Sequence, residues 1–210
     1  MVGVGVNGRK SVLARATLVD ASGSTIYDQF VRPRERVTDF RTFVSGVTPR
    51  HLKHKKAKMI EEVQEELREL LRDKIVVGHA LQNDFRALGL RVPPRQVRDT
   101  ATYRAFMRTA PGQRPRPQKL KDVCKEHLGL DIQDGQHDSA EDARGAMLLY
   151  RSVRGEWERT LQRQRGEGGS GVKALGLSQK KTSKLAIAKA RSGVRRVNQV
   201  SGKKRKRDSD

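Results

Sequence analysis

Two short stretches carry residue types that could do chemistry. In GHALQNDFRAL (78–88), Asp84 stands at the start of a short helical pattern just beyond an apolar strand pattern; in HDSAEDARGAM (137–147), His137 precedes Asp142 by five residues at the head of a second helical pattern. Taken singly, each has an ordinary structural reading. A carboxylate in a first helical turn is favoured by the helix dipole, Asn83 is a common capping type, and Ser139-x-x-Asp142 matches a capping box. His79 reads as a structural histidine bound to a backbone carbonyl. Taken together, two aspartates and a histidine from separate elements suit metal-assisted hydrolysis of a phosphodiester. Mg²⁺ (or Mn²⁺) takes hard oxygen ligands, and carboxylates can hold two ions ~4 Å apart, one activating water and one steadying the leaving oxygen. His137 would then be the general base that takes a proton from the attacking water.

A third motif is excluded by its context. Gly3, Gly5 and Gly8 spell G-x-G-x-x-G, but a dinucleotide turn needs a strand before the glycines and a helix after them. Here a strand pattern follows, and Asn7-Gly8 is a type I′ hairpin signal, so the glycines are expected to serve a strand entering a hairpin.

The elements that must position these residues are legible from periodicity. SVLARATLVDASG and TIYDQFVRP read as a strand pair, 11–19 being one continuous strand. Thr48-Pro49 marks a helix start, and Met59, Ile60, Val63, Leu67, Leu70 and Leu71 extend helical spacing to about Asp73. KIVVGHA is a short buried strand, LQNDFRALGL a helix ending at Gly89, and QVRDT a further strand. PGQRPRPQ is a Pro- and Arg-rich loop. A helix through Leu120, Val123, Cys124 and Leu128 stops at Gly129, and a long one buries Ala143, Ala146, Met147, Tyr150, Val153 and Trp157. Strands first and then helices alternating with strands predict an α/β domain, a mixed β-sheet flanked by helices.

Charge sets the partner class. The 210 residues carry a net charge of +21, and residues 166–210 hold thirteen Lys or Arg against three acidic residues, a net +10. A body and a tail that are both basic point to nucleic acid, because each phosphate neutralised releases counterions. GEGGSG reads as a flexible linker and KKRKRDSD as a nuclear import signal on a disordered basic arm, within which SKLAIAKARSGVRRV could fold on a partner. The expected division is a domain over 1–163 and a tail over 164–210. Cys124 is the single cysteine, which fits a reducing compartment, and no run of about 18 apolar residues or signal-peptide pattern occurs. A soluble intracellular protein without a membrane partner is expected.

MVGVG, IYDQFVRP, VTDFRTFVSGVTP, VGHALQNDFRAL, VRDT and HDSAEDARGAMLLY, from about Met1 to Arg159, resemble the DEDD-type 3′-to-5′ exonucleases of the histidine subclass, in particular the RNA exonuclease 4 branch. The resemblance implies an RNase H-like fold, trimming of RNA with a free 3′ end by two divalent ions, a nuclear or nucleolar location with an import receptor as partner, and a role in ribosomal RNA maturation. It makes Asp84 the second-motif aspartate, Asp142 the third-motif aspartate and metal ligand, and His137 the general base. Met1, Ser45, Gly46, Val47, His79 and Asn83 fall at substrate-binding positions. The family's first motif is Asp-x-Glu followed by Met, and this sequence opens at that Met, so both first-motif carboxylates are absent from it. The chain as given is therefore expected to be impaired. A non-catalytic RNA-binding scaffold in ribosome assembly, and an exonuclease acting on DNA, are the alternatives.

Overall fold

The computed structural model describes residues 1–53, 57–135 and 137–166. Strand β1 (Val2–Val4) is buried along its whole length and pairs antiparallel with β2 (Lys10–Val12) on one side and β5 (Val37–Asp39) on the other. The glycines explain the connection to β2. Gly5, Asn7 and Gly8 all have positive φ (73°, 53° and 66°), and a Cβ on Gly3 would lie 2.6 Å from the Gly8 carbonyl oxygen. They close a five-residue hairpin loop, longer than a two-residue type I′ turn, and the left-handed Asn-Gly pair sits inside it.

The continuous strand expected over 11–19 is two. Strand β3 (Arg15–Val19) pairs with β4 (Thr25–Arg32) in a second sheet, and the chain changes sheet at Leu13-Ala14. These two buried neighbours enter different cores, Leu13 with Val31, Val63 and Leu67, Ala14 with Val2 and Val47. The Ala14 carbonyl accepts the Val31 N–H at 2.9 Å, which stitches the junction. The single helix expected over 48–73 is also divided. After the short α1 (Thr42–Ser45), Pro49 does open a helix, α2 (Pro49–Lys53). Strand β6 (Lys58–Met59) then lies parallel to β4, and α3 (Ile60–Leu71) starts afresh where the Glu62 carboxylate accepts the Met59 N–H at 3.0 Å. Val63 and Leu67 are the buried face of α3, whereas Met59 and Leu70, which helical spacing placed inside, are exposed.

The remaining elements follow their sequence signals. Strands β7 (Val76–Gly78) and β8 (Val97–Asp99) are parallel, and α4 (Leu81–Leu88) and α5 (Leu120–Leu128) end on left-handed Gly89 and Gly129. The long α6 (Ser139–Gln164) buries Ala140, Gly145, Ala146, Leu149, Tyr150 and Trp157. Leu149 sits at the centre of that face; Ala143 and Met147 are only half buried, because the helix is turned toward α5 and its Phe106–Val123 core. The strands form three hydrogen-bonded groups, β2-β1-β5, β3-β4-β6 and β7-β8, so the architecture is mixed α/β as expected. Met1–Gly168 is one compact unit. The import signal, the foldable basic segment and nearly all of the tail lie outside the described residues. No helix among the described residues is long and apolar enough to cross a membrane.

One ion pair locks α6 to β8. The Arg98 guanidinium is almost wholly buried, donates to both carboxylate oxygens of Glu158 (2.6 and 2.7 Å), and Tyr150 Oη adds a third bond to Glu158. Arg98 holds the Glu158 carboxyl below the usual carboxylate range. The stabilisation is therefore present at neutral pH and lost as pH falls through the folded-state value. We predict that Glu158→Ala destabilises the domain by about 3 kcal/mol in urea titrations, because it strands a buried cation. Adding Arg98→Met should recover at least half of that loss. A double variant as unstable as the sum of the two single changes would refute the coupling.

Candidate active site

Helix α4 starts where it does because of a residue distant in sequence. The Asp99 carboxylate at the end of β8 accepts the N–H groups of Ala80 (2.8 Å), Leu81 (2.9 Å) and Ala101 (3.0 Å). It satisfies first-turn donors that no local side chain reaches, since Ala80 at the cap is left-handed (φ 58°) and makes no side-chain cap. The glycine before it is required as well: a Cβ on Gly78 would lie 2.4 Å from Leu81 Cδ2. Asn83, a capping type by sequence, is thus not the cap; it lies exposed in the first turn beside Asp84. Asp84 is half-buried. Burial pushes its carboxyl up, nearby Asp99 adds to the rise, and the Met1 ammonium opposes it.

Helix α6 is positioned by a second set of polar contacts. Arg15 on β3 binds Asp28 on β4 through two bonds (2.7 and 2.8 Å) and Asp138, the residue before α6, through a third (3.0 Å). Thr17 and Ser139 hydroxyls meet at 2.7 Å. Ser139 therefore faces β3, and the capping box read from Ser139-x-x-Asp142 does not form. The Asp142 carboxylate instead accepts Gln133 Nε2 at 2.6 Å. Its carboxyl is pushed up by burial, against the lowering effects of Gln133 and of nearby His137. The His137 N–H donates to the Phe43 carbonyl at 3.0 Å, and the two rings lie 6.2 Å apart.

The structure thus brings His137 and Asp142 together, and separately places Asp84 beside the Met1 ammonium. Arg41 lies near the Met1 amine and immediately precedes α1, whose Phe43 carbonyl accepts the His137 N–H. Among the described residues, no group of three or more His, Cys, Asp or Glu side chains gathers closely enough to hold a metal ion. The described residues do not by themselves make up the two-ion centre expected from the sequence; Asp84 and Asp142 stand in the first turns of different helices.

The expected substrate positions divide. The Met1 side chain and Asn83 are exposed at this rim. The Val47 side chain is fully buried against Val2 and Ala14, Gly46 is buried with φ 67°, and the Ser45 hydroxyl donates to the Phe40 carbonyl while accepting the Val47 N–H. For Ser45–Val47 this is loop chemistry, not a set of side chains offered to a ligand. His79 is structural: Nε2 donates to the Gln118 carbonyl at 3.0 Å and Nδ1 meets Thr100 Oγ1 at 2.9 Å. Sequence reasoning missed Asp99, Gln133, Arg41 and the exposed Phe43. For Asp99 the VRDT strand was a signal; for the other three no local pattern exists.

A family model described as Exonuclease matches residues 1–150. RNA exonuclease 4 of Mycosarcoma maydis is 47% identical over 173 residues, covering 81% of this chain and 44% of that protein. RNA exonuclease 4 of Candida glabrata is 46% identical over 159 residues, covering 75% of this chain and 59% of that protein. The chain thus spans about half the length of these curated relatives. Among solved structures, the Saccharomyces cerevisiae Pan2 pseudoubiquitin hydrolase–RNA exonuclease module in complex with AAGGAA RNA superposes with a TM-score of 0.64 at 28% identity, covering 80% of this chain and 30% of that one. The Neurospora crassa Pan2 catalytic unit gives 0.60 at 29%, covering 76% and 27%. With its family model spanning most of the folded domain, the chain belongs to the exonuclease family.

Proposed function

We propose that this domain serves 3′-to-5′ hydrolysis of RNA, with His137 taking a proton from the attacking water. The observation that carries the reading is the placement of Asp84 and Asp142 in the first turns of two helices, with His137 near Asp142. The similarity to RNA exonuclease 4, the RNA-bound Pan2 neighbours and the net charge of +21 support RNA as the substrate. Ribosomal RNA processing in the nucleolus is proposed with it. Divalent ions belong to this reading, with Asp84 and Asp142 as the carboxylates this chain would offer, short of a complete ligand set. The alternative reading, supported by the basic charge alone, is a scaffold that binds RNA without turnover.

Fusing an Asp-x-Glu segment directly ahead of Met1 should give Mg²⁺-dependent release of 3′ nucleotides from single-stranded RNA. His137→Ala should then slow release by about 10²-fold or more, and Asp142→Ala should abolish it. Tight RNA binding with no release in Mg²⁺ or Mn²⁺ would establish the scaffold reading instead.

The basic tail is proposed to supply affinity and nuclear address through an import receptor. Deleting residues 166–210 should flatten the salt dependence of RNA binding and release a tagged protein into the cytoplasm. Unchanged salt dependence and unchanged nuclear retention would refute this role.

A further inference from the structure

The Pro- and Arg-rich segment after β8 is a second charged feature, apart from the helix heads. Arg108 and Arg116 face each other across an antiparallel bridge, each N–H donating to the other's carbonyl at 2.9 and 3.0 Å. The tip turns at Pro111-Gly112, where Gly112 is left-handed (φ 72°) and the Gln113 N–H donates to the Ala110 carbonyl. Arg114 and Arg116 each precede a proline, which holds both in extended backbone. Residues two apart on extended chain share a face, about 6.6 Å from one another. Arg108, Arg114 and Arg116 therefore present their side chains to one side of the hairpin.

Like charges directly opposed across a strand pair are unfavourable. Several arginines of the fold, Arg15, Arg34, Arg41, Arg68, Arg72 and Arg98, pair with carboxylates. Among the described residues, exposed Arg104, Arg108, Arg114, Arg116 and Lys119 form no such pair. The base of the hairpin is nonetheless rigidly held. The Gln118 carbonyl accepts His79 Nε2, and its amide donates to the Phe106 carbonyl at 3.3 Å. His79 lies between β7 and α4, the helix that carries Asp84, so the unneutralised arginines are tethered to the element that positions the site.

We propose that this hairpin is a phosphate clamp, with Arg108, Arg114 and Arg116 gripping the sugar-phosphate backbone of the RNA behind its 3′ end. Guanidinium groups match phosphate oxygens in geometry, and such contacts set register without reading bases. The bound backbone supplies the negative charge the facing arginines lack. The clamp rests on the RNA reading above, but its test does not require turnover.

Binding of the full 210-residue chain to a 12-nucleotide single-stranded RNA would be measured in EDTA across a salt series. Replacing both arginines, Arg108→Gln with Arg116→Gln, should weaken binding at least fivefold at 0.1 M salt and reduce the slope of log K against log salt by about 1.4, two phosphates' worth. The melting temperature should hold or rise, since a repulsion is removed. The control, Lys10→Gln with Arg34→Gln, removes the same charge from paired positions and should leave the slope within about 0.3 of the parent. Arg116→Glu, which creates an attractive cross-strand pair with Arg108, should stabilise the hairpin yet bind RNA more weakly still. Equal slope changes in the clamp and control variants would overturn the proposal, as net charge alone would explain both. An unchanged slope in the clamp variant would overturn it too and leave this face to an acidic protein. If the parent chain bound no RNA, the clamp and the RNA substrate would fall together; if only the Asp-x-Glu fusion failed to cleave, the clamp would stand.

Discussion

The Asp99 carboxylate is the contact on which the rest of the site depends. It accepts three backbone N–H groups from two segments and joins the end of β8 to the start of α4. Those donors are buried at a helix terminus, where each group left unsatisfied costs about 1–3 kcal/mol. Next to it, Thr100 binds the Gly78 carbonyl through both its N–H (2.8 Å) and its hydroxyl (2.9 Å), and His79 carries the linkage on to Gln118. The strand pair β7-β8, the head of α4 and the base of the arginine hairpin are thus one hydrogen-bonded body. Asp84 is held by that body, not by its own neighbours in sequence.

The two aspartates illustrate opposing electrostatic effects. Both stand in the first turn of a helix, where the aligned peptide dipoles favour a negative charge. Both are also half-buried, and loss of water pushes each carboxyl up. A carboxylate desolvated but still served by nearby donors is well suited to receive a cationic group, and Gln133 Nε2 is such a donor to Asp142. His137 is tied by its backbone to Phe43, and the two rings lie 6.2 Å apart.

Cations in this molecule fall into two populations. Some that organise the fold are paired: Arg98 with Glu158 under α6, Arg15 with Asp28 and Asp138 at the head of α6, and Arg41 with Asp39 beside the β1 hairpin loop. Those of the 104–119 segment are not. On the hairpin, arginines set on one side of a tethered element add their fields toward a polyanion.

How far the sequence reached depended on how local the cause was. Helices α4 and α5 with their Gly89 and Gly129 stops, strands β7 and β8, and the placement of Asp84, His137 and Asp142 at helix heads were all legible, because periodicity and capping glycines act over a few residues. The switch of sheets at Leu13-Ala14 and the insertion of β6 before α3 were not, since each follows from which distant strand offers a free backbone edge. The Ser139 capping box failed for the same reason, Thr17 of β3 having claimed the hydroxyl. By itself the sequence determined the types and spacing of the reactive groups and the basic character of the chain. Tertiary structure alone decided that Asp99 would cap α4 from another strand, that Gln133 would hold Asp142, and that His79 would brace a hairpin, because hydrogen bonds between residues remote in the chain leave no trace in local pattern.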